Sequence, residues 1–571
     1  MKTSHNNHAA GTSRVSKLVR YEAILAGTFG LTVLILANVV WILGFSSAPA
    51  GGHFVGAVYN IEDFGNYLSW LRQTSHGSFY LHNLFTTEVQ PALEFNVFFS
   101  LLGLFARVTR LPLALLYDLA RFVFGAGLLI ISWRFIKFCI TQSSLARLTA
   151  FALLASSSGL GWLDYSKWHD RNLPGSPVDG WQPEAYTFAS LETSTLFCVS
   201  TLLIISTIYC LVKAEEEHKN VYAVWAGLWA LVLGNIHSYD VIHIAVVWLL
   251  YLGVRWASGN SRTTIHTLKR AAIALFVALP ATLYQLYVFL ADPVFHKRAD
   301  VRTLSPHFWH YVLGYGLVFG LACIAGMIIC IGISKRGSSS SGLPVRSQNI
   351  EFLLIAWAIG GFAAAYLPAA FQRKMLMGEH IPLCLLAGLG VWWLVRRSMP
   401  VARLTVSVCV ILAACPSSVL FLNRDLQHLS ANRSESETLN PFIPDSQLDT
   451  MEWIEGHSAT SESVLGFPQE CTLVPAYTGH HVWAGHWGET PHFTRKIAEF
   501  SNAFGTSISD AERDNFVKST GCTLLWYPNV VSDLGSNSGQ SVAQYIDLQK
   551  HNPSWLAKIY MNKDYSVYRI Q

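Results

Sequence analysis

Charge is what this sequence has least of. Only 13% of its 571 residues are Asp, Glu, Lys or Arg, where a soluble chain of this size keeps roughly a quarter. That shortfall leaves too little material for a fully solvated surface, so most of the surface must meet lipid. The formal net charge is +4, and no basic block or RNA-type aromatic motif occurs, so nothing points to nucleic acid as a partner. There is no CxxC, no P-loop, no GxSxG, no HExxH and no zinc-ligand spacing, and no repeat of fixed period. Of the ten cysteines, eight lie in apolar stretches at irregular spacing, where a lone thiol behaves as a small hydrophobe. The other two, Cys471 and Cys522, fall in a polar C-terminal region and can pair if that region lies outside the cytoplasm.

What is abundant is apolar: 51% of residues are hydrophobic and the mean hydropathy is +0.33. About 20 apolar residues cross a bilayer as a helix. Eleven such runs are read, near 22–44, 111–133, 146–162, 194–212, 221–236, 240–256, 271–290, 309–333, 351–370, 379–396 and 401–421. The first is too long for a signal-peptide core and is taken as an uncleaved span. Lys and Arg concentrate in alternate connections, including Arg14, Lys17 and Arg20, Arg134 and Lys137, Lys335 and Arg336, and Arg396 and Arg397. The positive-inside rule makes that set cytoplasmic. The N-terminus is then cytoplasmic in a multi-pass inner or plasma membrane protein, and an odd number of spans puts 422–571 outside.

The expected organisation is a mainly α transmembrane domain over 1–421 and a small extracytoplasmic α/β domain over 422–571. In the outer loop 45–110, Phe64, Tyr67, Leu68 and Leu71 repeat the helical spacing of Phe95, Phe98, Phe99 and Leu102. The 94–106 run is too short to span, so this loop is read as two amphipathic helices on the membrane surface. Beyond 422, short apolar runs at 463–467, 522–527 and 565–570 alternate with helix-like stretches at 493–503, 509–519 and 540–550, the pattern of a small α/β domain. The Gly-Ser run at 337–342 reads as a flexible linker.

Polar residues that carry chemistry gather in the outer connections. Glu62-Asp63 comes just before the first surface helix. A carboxylate there can serve as general base or hold a divalent metal, or Asp63 can simply cap a helix starting at Phe64. The second outer loop (163–193) sets Asp164, Asp170, Asp179, Glu184 and Glu192 beside Trp162, Trp168 and Trp181, a mixture that suits sugars but also suits any membrane interface. His237 and Asp240 share the shortest turn of the chain, either as ligands or orienting groups or as a plain polar hairpin. Gln372, Arg373 and Lys374 stand against the positive-inside trend. Cations kept outside point to an anionic ligand, lipid phosphate being the nearest abundant one, and snorkelling is the other reading. Near the C-terminus, Gly485-His486-Trp487-Gly488-Glu489-Thr490 reads as a lid or binding loop, offering His486 and Glu489.

One N-terminal span, a long outer loop with an early acidic residue and two surface helices, a helix bundle and an outer C-terminal domain resemble the GT-C class of polyprenyl-phosphate-dependent glycosyltransferases. That class includes protein O-mannosyltransferases, aminoarabinose transferases and oligosaccharyltransferase catalytic subunits. The likeness is nearest to bacterial members, through Asn83-Leu84-Phe85-Thr86-Thr87-Glu88, Pro183-Glu184-Ala185, Phe371 to Lys374 and Gly485 to Thr490. No DxD stands in either outer loop and no WWDYG segment occurs. The resemblance implies that Asp63, beside Glu62, is the catalytic base. It also implies that Arg373, Lys374 and Gln372 meet the lipid phosphate, and that Glu184, His237, Asp240, His486 and Glu489 line the substrate cleft. A divalent metal is allowed but not required.

The expectation is therefore a membrane glycosyltransferase. It would move a sugar, with inversion, from a polyprenyl-phosphate carrier to an extracytoplasmic glycan, lipid or protein acceptor. The rivals are a flippase or transporter of lipid-linked saccharides, which predicts polar groups spread through the spans, and a non-enzymatic envelope assembly protein.

Overall fold

The computed structural model describes residues 4–169, 175–258, 261–298, 301–334, 341–434, 439–530 and 545–571. Asp170, Lys335 and Arg336, most of the 337–342 run and the start of the 540–550 stretch lie outside these.

Among the described residues, eight helices are long and apolar enough to cross a membrane: Arg20–Ala37, Leu113–Cys139, Thr195–Glu217, Asp240–Ala257, Thr264–Ala291, Phe308–Gly332, Gln372–Val395 and Pro400–Ala431. Only helices satisfy every backbone polar group without water, which is why the apolar runs take this form. The three remaining expected spans fall on shorter helices, Ser144–Ser156, Asn220–Ile236 and Gln348–Ala364, of 13, 17 and 17 residues. The last two are at the lower limit for a span. The run 146–162 is shorter as a helix than as an apolar stretch because the chain leaves helical geometry at Ser157. Beyond it, Gly159 packs backbone to backbone, and a Cβ there would sit 1.9 Å from the Gly314 carbonyl oxygen. The facing helix bends at the same place, where Gly316 takes φ 44°.

The chain divides into two compact units. The first comprises residues up to 39, 120–283 and 303–423. Its helices pack in pairs: Thr195–Glu217 with Asn220–Ile236, Phe308–Ser334 with His380–Val395, and Asp240–Ala257 with Gln348–Ala364. At Glu215 buried charge is paired, with Arg255 and Arg270 at 3.0 Å each. Elsewhere apolar side chains such as Leu275 and Phe276 face outward, as lipid contact requires.

The second unit comprises residues 40–119, 284–302 and 424–571. Its five-stranded sheet runs in the order His481–Val482, Ser463–Leu465, Leu524–Pro528, Tyr565–Ile570, Leu556–Met561. The first three strands are parallel and the last two antiparallel. Helices Phe493–Ala503 and Asp510–Ser519 belong with a core of Phe467, Phe500, Phe504, Val517, Leu525 and Tyr527. Cys471 and Cys522 are both buried free thiols. In the 45–110 segment, helices Ile61–Ser75 and Val97–Thr109 pack on each other through Tyr67, Trp70 and Phe99. Asn96 caps the second of these, accepting from the backbone N–H of Phe98 at 3.1 Å.

Candidate functional site

Asp63 is not the cap of its helix. The helix begins at Ile61 behind Asn60, which takes the left-handed conformation with φ 52°, one that Asn tolerates better than most residues. Asp63 therefore lies within the first turn, where unpaired N–H groups and the helix dipole favour an anion. Asn60 Nδ2 donates to Asp63 Oδ2 at 2.6 Å, and His486 Nε2 lies 3.0 Å from Asp63 Oδ1. The imidazole is 2% exposed and the carboxylate 29% exposed, so the carboxylate is the member of the pair that an outside group can reach. Glu62 is half-buried one position earlier.

His486 is carried by the Gly485–Thr490 segment, whose shape is fixed by its own hydrogen bonds. Gly485 N–H and His486 N–H donate to Thr490 Oγ1 at 3.1 and 3.2 Å, and Thr490 Oγ1 donates to the Phe85 carbonyl at 2.9 Å. Gly488 N–H and Glu489 N–H both donate to His486 Nδ1, at 3.0 and 3.1 Å. Burial works to lower the pKa of His486, but the hydrogen bond and charge of Asp63 raise it overall, with Glu489 and Glu62 adding to the rise.

Glu489 anchors the far end of the segment. Its Oε1 accepts from Asn66 Nδ2 at 3.1 Å, its backbone carbonyl accepts from Asn83 Nδ2 at 2.8 Å, and its Oε2 pairs with Arg298. Arg298 also lies 3.3 Å from Glu94 Oε2 and stacks over Trp70 and Phe295. Burial raises the pKa of Glu94 against the opposing pull of Arg298. Sequence reasoning missed Arg298, Glu94 and Asn66. Arg298 reads locally as one more loop cation, and no local signal ties the other two to the site.

The other expected site residues belong to the first unit, and the structure gathers them around the turn Gln372–Leu376. Arg373 lies over the Trp181 ring at 5.1 Å, and Lys374 over the Tyr239 ring at 5.6 Å. Gln182 Nε2 donates to the Arg373 carbonyl at 3.0 Å, and the turn Pro183–Ala185 that carries buried Glu184 packs on the same segment. Gln372 is structural on both sides of its amide: its Oε1 accepts from Ser305 N–H at 3.2 Å and its Nε2 donates to the Leu367 carbonyl at 2.9 Å. His237 Nδ1 lies 2.7 Å from Asp240 Oδ2, and its Nε2 bonds the Tyr239 hydroxyl. The buried Arg373 Nε has no hydrogen-bond partner among the described residues.

Asp179 builds the platform under Trp181 and Gln182. Its Oδ2 accepts the backbone N–H of Gly159 at 2.9 Å and of Gly161 at 3.0 Å. Burial pushes its pKa up to about 6 against those bonds and that of Ser417. It is a structural residue. Among the described residues no three His, Cys, Asp or Glu side chains converge to hold a metal ion.

No protein-family model matches the chain, and neither does any curated relative. Solved structures do match in fold. The oligosaccharyltransferase of Archaeoglobus fulgidus superposes with a TM-score of 0.53 at 12% identity, over 87% of this chain and 69% of that one. The arabinofuranosyltransferase AftD from Mycobacteria gives 0.57 at 13% identity, over 94% of this chain but only 40% of that one. ArnT from Cupriavidus metallidurans, solved with undecaprenyl phosphate, gives 0.50 at 12% identity, over 94% and 97%. The fold of this chain is that of the GT-C glycosyltransferases, a polytopic helical membrane protein with a small C-terminal sheet domain.

Proposed function

We propose that this chain is an integral-membrane glycosyltransferase that moves a sugar from a polyprenyl-phosphate donor to an extracytoplasmic acceptor, with Asp63 as general base. The acceptor is a glycan, lipid or protein offering a hydroxyl or amine. Asp63 takes the acceptor proton as that atom attacks the anomeric carbon. The bond from that carbon to the phosphate oxygen breaks, its electron pair leaves with the lipid phosphate, and configuration inverts. In the first unit, Arg373 and Lys374 are the cations proposed to neutralise lipid phosphate, the group where negative charge develops, with Glu184, His237 and Asp240 as the polar groups of that unit proposed to meet substrate. The chain lies in the plasma or inner membrane with its N-terminus cytoplasmic, and 422–571 forms an outer domain.

The observation that carries this reading is the Asp63 carboxylate itself. Asn60 and His486 hold its two oxygens, and it is still partly exposed, in a fold shared with ArnT bound to undecaprenyl phosphate. A base needs that combination of fixed orientation and access. The test uses purified full-length protein and a panel of undecaprenyl-phosphate-linked sugars. Asp63→Asn abolishes transfer while expression and membrane insertion stay at wild-type level. Transfer retained by Asp63→Asn would overturn the base assignment.

A further inference from the structure

We infer that His486 is a positioning residue for the Asp63 carboxylate, locked in one tautomer by the loop that carries it. This rests on the reading of Asp63 as the base and adds a residue that acts through it.

The tautomer follows from the donors around the ring. Gly488 N–H and Glu489 N–H both point at Nδ1, at 3.0 and 3.1 Å. A nitrogen accepting backbone hydrogens cannot carry one of its own, so the neutral ring holds its proton on Nε2. That proton faces Asp63 Oδ1, at 3.0 Å. Asn60 Nδ2 holds the other oxygen at 2.6 Å. The carboxylate plane is therefore set from two directions, by a residue before its helix and by one 423 positions away.

The ring has little freedom to abandon this geometry. Trp487 stacks on it at 5.8 Å with an interplanar angle of 19°, and Phe85 packs against it at 5.5 Å. The loop beneath is tied by Thr490 and by the Asn66 and Arg298 contacts to Glu489. Among the described residues, Glu62 on the helix of Asp63 and Glu489 on the loop are charged groups that act on the His486 ring, and Glu489 is itself paired with Arg298, which Glu94 also meets. A hydrogen bond donated to the ionised carboxylate favours that form. Without His486, Asp63 keeps its proton to higher pH and turns more freely.

Asp63 can be titrated without knowing the substrate. A water-soluble carbodiimide with glycine ethyl ester labels carboxyls at a rate that follows their protonated fraction, and peptide mass spectrometry reads Asp63 labelling in detergent-purified full chain from about pH 2.5 to 7. In His486→Ala the labelling midpoint rises by about one pH unit. In His486→Gln, which keeps an N–H donor at similar reach, it stays within about 0.3 unit of wild type. If the alanine variant does not fold, His486→Met fills the space without a donor and shifts the midpoint as alanine would. A midpoint unmoved in the donor-less variants overturns the inference, since a merely structural histidine would lower the melting temperature without moving that titration. Failure of the base reading is seen separately, as transfer surviving in Asp63→Asn.

Discussion

Arg298 and Glu489 form an ion pair beside the candidate base, and Glu94 meets the same guanidinium at 3.3 Å. All three side chains are largely buried, at 18%, 12% and 14% exposure. Removing the cation leaves two carboxylates facing each other in a poorly solvated place. Arg298→Ala is expected to cost roughly 3 kcal/mol, the lower end of the range for breaking a buried pair. Adding Glu489→Gln to Arg298→Ala should recover part of that loss. Denaturation of the purified chain in mild detergent, followed by tryptophan fluorescence, checks both. Equal stability of Arg298→Ala and wild type would mean the pair is energetically idle.

The two helices of the 45–110 segment meet across Gly103. A Cβ at that position would lie 2.1 Å from Thr74 Oγ1 and 2.8 Å from the Ser75 backbone nitrogen. The Thr74 hydroxyl is not free to move, because it donates to the Phe99 carbonyl at 2.9 Å. Gly103→Ala therefore forces the helices apart, at an overpacking cost of about 1–3 kcal/mol. The helix carrying Asp63 is displaced with them. The expected result is a lower melting temperature together with reduced transfer, whereas Ser100→Ala on the same helix should change neither.

The membrane helices were legible because apolar runs of about 20 residues cross a bilayer as helices, and the two helices of the 45–110 segment through their helical spacing. The strands Ser463–Leu465, Leu524–Pro528 and Tyr565–Ile570 were legible as short apolar runs, and all are fully or mostly buried. Leu556–Met561 was not, because it is the edge strand of the sheet and its side chains alternate with exposed ones such as Lys558; an edge strand need not look apolar. Asp63 and the Gly-His-Trp segment each stood out locally. Their contact did not, since nothing in either segment encodes a partner 423 residues away. Arg298 was invisible as a site residue for the same reason, its carboxylate partners coming from positions 94 and 489.

Glu470 gives the second unit a pH dependence. It is half-buried beside Tyr565, whose hydroxyl donates to Oε1 at 3.3 Å, and its buried Oε2 has no hydrogen-bond partner among the described residues. Burial pushes its pKa up to about 7, against the hydrogen bond from Tyr565. In the unfolded chain the same carboxyl loses its proton near the ordinary Glu value of about 4.3. Between those two pH values the folded state binds the extra proton. The stability this group contributes is fully present below about pH 4.3 and is lost as pH rises through about 7. Glu470→Gln mimics the protonated form and removes this dependence. Melting temperatures at pH 5 and pH 8 should differ more in wild type than in Glu470→Gln, with the variant the more stable at pH 8. Identical pH profiles would show that Glu470 titrates normally.

Arg373 and Lys374 are adjacent cations, but the structure gives them different settings, and that difference separates charge from shape. Arg373 presents a flat guanidinium over Trp181 at 5.1 Å with a buried Nε that lacks a hydrogen-bond partner among the described residues. Lys374 sets a compact ammonium over Tyr239. If the ligand is a phosphate, a planar fork can hold two of its oxygens at once, which an ammonium cannot. Arg373→Lys keeps the charge and loses the fork, so undecaprenyl phosphate should bind it roughly tenfold more weakly, about 1.4 kcal/mol. Lys374→Arg keeps charge and reach and should bind within about threefold of wild type. Native mass spectrometry with undecaprenyl phosphate measures both. If charge alone mattered, the two substitutions would be equally mild and salt would weaken binding in each alike. A selective loss in Arg373→Lys that persists at high salt would instead assign the phosphate to the guanidinium over Trp181.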